Sequence, residues 1–239
     1  MAYEYLDHCC WIFNLFTIFK LRSICIPARD IKDEDGAIGF VEMIRSFRVD
    51  WVLSSAYLSV LALEITVSDW SVLFNRDVLG ISKGIAIIPY IIFMSAMIIG
   101  RLGFNNFVKD REEYKVLKVF TLYGGVGFSV FLLLASFIGS ANPGLAFTLL
   151  MVGFFMGGLG SSFLGPFLFQ FAAKRSPRPD SVALAELSPT NTALTLVYKL
   201  IIAWIAQALG LTVALLIPGI AFLLLAFYIR KVILLEEKR

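Results

Sequence analysis

Charged residues are scarce in this sequence: Asp, Glu, Lys and Arg make up 16% of its 239 residues. A soluble domain carries about a quarter of such residues, so the scarcity excludes an ordinary soluble fold. One His and three Cys are too few to indicate a metal site or a disulfide framework. The chain also lacks a Walker A loop and a dinucleotide-binding fingerprint. Neither ATP-driven transport nor a cofactor is therefore expected.

Two local patterns that resemble enzyme or metal sites are too incomplete to predict either. His8, Cys9 and Cys10 form the one sulfur–imidazole cluster, but metal binding requires more ligands at better spacing. Gly160-Ser161 could suggest an intramembrane serine protease, but no His follows that could activate the hydroxyl. We expect no metal and no enzymatic activity.

Long apolar segments are what the sequence has in abundance. Hydrophobic residues make up 59% of the chain, and the mean hydropathy is +0.82. Six segments are long enough to span a bilayer, which takes about 20 residues: 51–74, 81–103, 116–138, 144–172, 188–208 and 211–230. Turn-forming residues separate them, and no strand alternation competes. The sequence predicts an all-α membrane protein with a six-helix bundle over 51–235.

The first fifty residues differ from the rest. The apolar run from Cys9 to Phe19 is too short to cross a membrane about 30 Å thick. It is either a truncated spanning helix or an interfacial helix, and we favour a short helix stub within residues 1–27. Residues 28–50 are rich in charge and are predicted to form a cytoplasmic connector.

Basic residues fall on one side of the predicted topology. Eighteen of the 21 Lys and Arg residues lie before residue 51, in the connection between spans two and three or the adjoining span ends, between spans four and five, or at the end of span six and beyond. The opposite side has Arg76 and Lys83. Because cytoplasmic loops carry the excess of positive charge, the connector and the C-terminus are predicted to be cytoplasmic, in a multi-pass protein of the inner or plasma membrane.

Acidic residues within the first span are the main candidates for function. Glu64 lies well inside the apolar segment, where a carboxylate is costly and usually functional, and at helical spacing it shares a face with Tyr57 and Ser68. It is a candidate for contacting substrate or a coupling ion, or it is a structural carboxyl. Asp69 and Trp70 lie nearer the outer end and are interpreted as boundary residues.

Lys199 is the one basic residue in the middle of a span, in the fifth apolar segment. Its estimated depth matches that of Glu64, on a helix that runs in the same direction. The sequence therefore suggests a Glu64–Lys199 pair. Such a pair is either a switch that opens on protonation of Glu64 or a static buried pair.

Small residues recur every four positions along the fourth span: Gly153, Gly157, Ser161 and Gly165. A row of this kind lets another helix approach closely, and Pro166 can kink the helix. The row is interpreted as a packing seam, with a flexible gating helix as the alternative.

Several motifs occur in order along residues 45–235: Glu64 before Asp69-Trp70-Ser71, Gly100-Arg101-Leu102, Gly157-Gly158-Leu159-Gly160 with Gly165-Pro166, and Ala183-Leu184-Ala185. Together they resemble the C-terminal half of major facilitator superfamily transporters, most closely the bacterial fucose-permease-like group. The family signature continues with an acidic residue where this chain has Gly103-Phe104-Asn105. The resemblance implies a cytoplasmic gate latch at Gly100 and Arg101, for which a positive-inside anchor is the alternative.

The resemblance also implies a function. The chain is expected to transport a small solute as half of an ion-coupled secondary transporter, with its substrate site between two bundles. The expected partners are the lipid bilayer, an unknown solute, and a second copy or a separately encoded N-terminal half, with no nucleic acid. The alternative is a truncated membrane fragment or interaction remnant that transports nothing.

Overall fold

Seven α-helices make up the part of the chain that the structure, a computed structural model, describes: residues 51–108, 113–175 and 180–234. No strand occurs in these ranges. The helices, in chain order, are α1 (Trp51–Asp77), α2 (Ile88–Val108), α3 (Glu113–Ile138), α4 (Pro143–Ser161), α5 (Leu164–Arg175), α6 (Asp180–Leu209) and α7 (Leu211–Leu234). The predicted helix stub, the connector and the His8-Cys9-Cys10 cluster lie outside the described residues.

Five stretches of the described chain are long and apolar enough to cross a membrane: α1, α3, α4 with α5, the second part of α6, and most of α7. The apolar part of α2, Ile88–Gly103, is shorter. The prediction of an all-α membrane bundle is confirmed.

Three helix boundaries differ from the predicted segments. The second helix begins at Ile88 rather than at residue 81, because residues 83–87 form turns and Pro89 suits a helix start. The fifth segment extends back to Asp180, a residue type that the helix dipole favours in a first turn. The fourth segment is two helices, because the helical hydrogen bonding is interrupted at Ser162 and Phe163, although Ser162 keeps helical dihedral angles (φ −55°, ψ −37°).

The core lies where α3, α4 and α7 meet α1 and α2. Its largest fully buried side chains include five phenylalanines, Phe74, Phe93, Phe128, Phe154 and Phe222. The most extensive helix contact is between α3 and α4, where a Cβ on Gly160 would lie 2.6 Å from the Cα of Gly124. The two backbones touch because neither residue has a side chain there. By contrast, α6 contacts α1, α5 and α7 and stays largely uncovered.

Two glycines at positive φ set the connections on one side of the bundle. Gly80 (φ 66°) lies between α1 and α2, and Gly210 (φ 91°) is the single residue between α6 and α7. Residues with a side chain rarely adopt this conformation. Near the second turn, the hydroxyls of Ser136 on α3 and Thr212 on α7 are hydrogen-bonded at 3.0 Å.

Asn75 fixes the connection between α1 and α2. It is fully buried, its side-chain Nδ2 donates to the Ala86 carbonyl at 2.6 Å, and its backbone carbonyl accepts from the Ile81 amide at 2.9 Å. Asn75→Ala removes the first bond and should cost about 1–2 kcal/mol. We expect trypsin to cleave after Lys83, which is exposed in this connection, several times faster than in the unmodified protein. Asn142→Ala, which removes a helix cap elsewhere, is the control, and equal cleavage in the two variants would contradict the role of Asn75.

Candidate functional site

A cavity of about 190 Å³ lies between α1, α2 and α5. Tyr57 and Glu64 line it from α1, Arg101 from α2, and Gly165, Pro166 and Phe169 from α5. The break between α4 and α5 is therefore next to the cavity. Five candidates from the sequence line this cavity: Tyr57, Glu64, Arg101, Gly165 and Pro166.

The break in the helix follows from Pro166. Proline has no amide hydrogen, so the carbonyl of Ser162, four residues earlier, has no helical donor. Ser162 is completely buried, and an unpaired buried carbonyl is costly. Arg101 supplies the missing hydrogen bond, since its Nε donates to the Ser162 oxygen at 3.3 Å.

Gly100 makes this contact possible. A Cβ at that position would overlap the Ser162 side chain, so only glycine allows α2 to come this close. Arg101 follows immediately and reaches the carbonyl. The Gly100-Arg101 pair thus acts here as the contact between α2 and the broken helix.

Glu64 is the charge partner of Arg101. The Arg101 Nη2 lies 3.7 Å from the Glu64 Oε1, and the two side chains are 46% and 23% exposed. The distance is too long for a direct hydrogen bond. The two charges therefore compensate each other while both keep hydrogen-bonding capacity at the cavity, where a solute could use it.

Aromatic rings form another wall of the cavity. The rings of Tyr57 and Phe169 meet edge to face with their centroids 4.7 Å apart, an arrangement that stabilises aromatic pairs. The cavity therefore combines one carboxylate, one guanidinium and an apolar aromatic surface. Binding sites for small molecules typically combine an apolar lining with a few polar groups in this way.

A second polar cluster joins α1 to α6. The Lys199 Nζ lies 2.8 Å from the Asp69 Oδ2, and the Thr66 and Tyr198 hydroxyls are hydrogen-bonded at 2.6 Å. The predicted Glu64–Lys199 pair is therefore wrong, because Lys199 pairs with Asp69. The reason is the position of each carboxylate around α1: at about 100° per residue, Glu64 and Asp69 point in different directions, one toward α2 and the other toward α6.

The remaining candidates separate by burial. Gly153, Gly157 and Ser161 are buried, and a Cβ on either of the two glycines would contact Phe131 or Phe128 of α3. At Gly165 no atom lies within 4 Å of such a Cβ. This residue therefore does not pack against α3 as the two glycines do, and it borders the cavity instead. Ser68 is exposed, and Trp70 packs partly against the core. Within the described ranges, no group of three or more His, Cys, Asp and Glu side chains could hold a metal.

Comparison with known proteins gives one informative similarity. The chain is 30% identical over 166 residues to an uncharacterized MFS-type transporter of Yersinia pestis. The present chain is therefore a multi-pass membrane protein similar to a major facilitator transporter. The similarity covers 69% of this chain and 41% of the relative, so the matched residues span less than half the length of that transporter. No family model and no solved structure matches.

This similarity supports membership of the major facilitator superfamily. It agrees with the apolar character of the membrane helices, and a transporter relative gives no indication of an enzyme.

Proposed function

We propose that this chain takes part in ion-coupled secondary transport of a small solute, as the C-terminal half of a fucose-permease-like major facilitator carrier. In this proposal the chain lies in the inner or plasma membrane with its C-terminus in the cytoplasm, and the distribution of basic residues supports that orientation. The observation that carries the proposal is the Glu64–Arg101 pair beside a cavity at the α4–α5 break. Charged groups within membrane helices usually mark ion or substrate pathways.

The chemistry of the proposed site follows from the charges. While Glu64 is ionised, it attracts Arg101, which also holds the Ser162 carbonyl. A proton on Glu64, or a cationic group of a solute, removes that attraction. Arg101 is then held to the broken helix by its hydrogen bond to the Ser162 carbonyl, and α1 is free to move relative to α2. Coupling arises because the charge state of Glu64 changes the energy of the arrangement in which α1 is held to Arg101 relative to the arrangement in which α1 is released.

Transport by the reconstituted chain tests this proposal. Proteoliposomes that contain the full chain are given radiolabelled neutral sugars, amino acids and carboxylates, with and without an inward proton gradient. We expect one class to accumulate only with the gradient. Glu64→Gln should lower that accumulation at least about tenfold, because the side chain can no longer exchange a proton. Asp77→Asn, at the exposed end of the same helix, should leave it unchanged.

Two results would contradict the proposal. If no solute moves faster than in empty liposomes, the chain does not transport by itself, and the alternative of a membrane remnant is favoured. If Glu64→Gln and Asp77→Asn accumulate solute equally, transport occurs without coupling at the Glu64–Arg101 pair.

A further inference from the structure

The size of the cavity between α1, α2 and α5 restricts what can occupy it. Its volume is about 190 Å³, and a cavity of about 150 Å³ holds one benzene ring. A solute somewhat larger than benzene therefore fills this cavity. A hexose is larger again, so part of it would lie outside the residues that line the site.

Two opposite charges face the cavity side by side. The Glu64 Oε1 and the Arg101 Nη2 are 3.7 Å apart, which is too far for a hydrogen bond between them. A solute with a single charge would be attracted by one of these groups and repelled by the other. The pair therefore favours a solute that has no net charge.

Both members of the pair keep hydrogen-bonding capacity that a charged solute can use. The Arg101 Nε donates to the Ser162 carbonyl, and its Nη2 makes a weak contact with the Met97 sulfur at 3.6 Å. Within the described residues its Nη1 makes no hydrogen bond, and guanidinium groups bind carboxylates strongly in a fixed geometry. Glu64 accepts no hydrogen bond in the same part of the chain, and an ammonium group is a strong donor. A solute with one carboxylate and one ammonium group therefore satisfies both residues.

The rest of the lining is mostly apolar. Val60 and Leu61 lie on α1 beside the charges, and the edge-to-face rings of Tyr57 and Phe169 form another wall. Such a surface stabilises an apolar group by removing it from water. The hydroxyls of a polyol would instead lose their hydrogen bonds to water there, which is costly.

We propose that the Glu64–Arg101 cavity binds a small zwitterionic amino acid with an apolar side chain, such as valine. The carboxylate binds Arg101, the ammonium group binds Glu64, and the side chain contacts the rings of Tyr57 and Phe169. This assignment rests on the proposed function, in which the same cavity is the solute site. It gives the solute a part in coupling, because the ammonium group replaces Arg101 as the charge partner of Glu64 and weakens the contact between α1 and α2.

Binding of blocked analogues tests the assignment without any need for transport. The full chain is reconstituted in proteoliposomes with no ion gradient, and binding of radiolabelled compounds is measured by scintillation proximity. We expect saturable binding of L-valine. N-acetyl-L-valine lacks the positive charge and L-valine methyl ester lacks the negative one. Each should bind at least about tenfold more weakly, because one residue of the pair is left without an opposite charge.

Glu64→Gln should reverse the preference between the first two compounds. Without the carboxylate, the ammonium group of L-valine loses its partner, and N-acetyl-L-valine no longer meets a like charge. N-acetyl-L-valine should then bind at least as tightly as L-valine, a reversal that loss of structure cannot produce. Asp77→Asn, at the exposed end of the same helix, should keep the preference for L-valine.

Three results would overturn the assignment: no saturable binding of L-valine, equal affinity of the unmodified protein for L-valine and N-acetyl-L-valine, or an unchanged preference in Glu64→Gln. Failure of the proposed function gives a different pattern, in which L-valine binds with the expected preference but does not accumulate under a proton gradient. Gradient-driven accumulation of another class of solute, without binding of L-valine, would keep the transport and overturn the amino acid as its substrate.

Discussion

Replacement of Arg101 by methionine should lower the free energy of unfolding by roughly 2–4 kcal/mol. The buried Ser162 carbonyl loses its donor, which costs about 1–3 kcal/mol. Glu64 loses its compensating charge; removal of one partner from a buried pair costs about 3–5 kcal/mol. The second contribution is smaller here because Arg101 is 46% exposed and water screens it. Unfolding in mixed micelles, followed by circular dichroism, measures the change.

Two further substitutions, each added to the Arg101→Met protein, separate these contributions. Pro166→Ala gives the Ser162 carbonyl a helical donor, so it should recover part of the loss in the Arg101→Met protein. Glu64→Gln removes the uncompensated charge and should recover another part. In the unmodified protein neither substitution should stabilise. Arg76→Met, at the exposed end of α1, is the matched control. If Pro166→Ala has the same effect with and without Arg101, the two residues are not coupled.

Gly160→Ala should destabilise the protein by about 2–3 kcal/mol, a large effect for one methyl group. The added Cβ would lie 2.6 Å from the Cα of Gly124 and 2.7 Å from the Phe120 carbonyl oxygen. Both contacts are backbone, so no side chain can rotate away, and α3 and α4 must separate. Since α3 and α4 form the most extensive contact of the bundle, the cost spreads along both helices.

Gly165→Ala is the matched control for that substitution. No atom lies within 4 Å of the Cβ that it adds, and alanine is favoured over glycine in a helix by up to about 1 kcal/mol. We expect unchanged or slightly higher thermal stability in detergent. Equal melting temperatures for the two variants would show that α3 and α4 are not in the close contact described.

The fold class follows from sequence because it depends on local features. Apolar length and turn residues predict the membrane helices, and small residues such as Gly153 and Gly157 predict a tight seam. The break before Pro166 was only partly predictable. The residue types indicate a kink, but its position at Ser162 follows from the missing amide, and the donor that completes it comes from α2, far away in sequence.

Pairing of charges was not predictable from depth alone. Glu64 and Lys199 were matched because their distances from the helix starts are similar, but a partner also depends on which way each side chain points around its helix. Five residues separate Glu64 from Asp69, so their directions differ by about 140°. Lys199 lies on α6 and meets the carboxylate that faces α6, whereas Arg101 on α2 meets the other one.

The single glycine between α6 and α7 acts as a pivot. Leu209 and Leu211 belong to different helices, so the adjoining ends of α6 and α7 cannot separate by more than a few ångströms, and the Ser136–Thr212 bond ties that end of α7 to α3. Any tilt of α6 must therefore rotate about Gly210. Because α6 is about 45 Å long, a tilt of about 10° displaces its other end, at Asp180, by about 8 Å. A tilt of this helix would therefore displace its residues little beside Gly210 and most at the end where Asp180 lies.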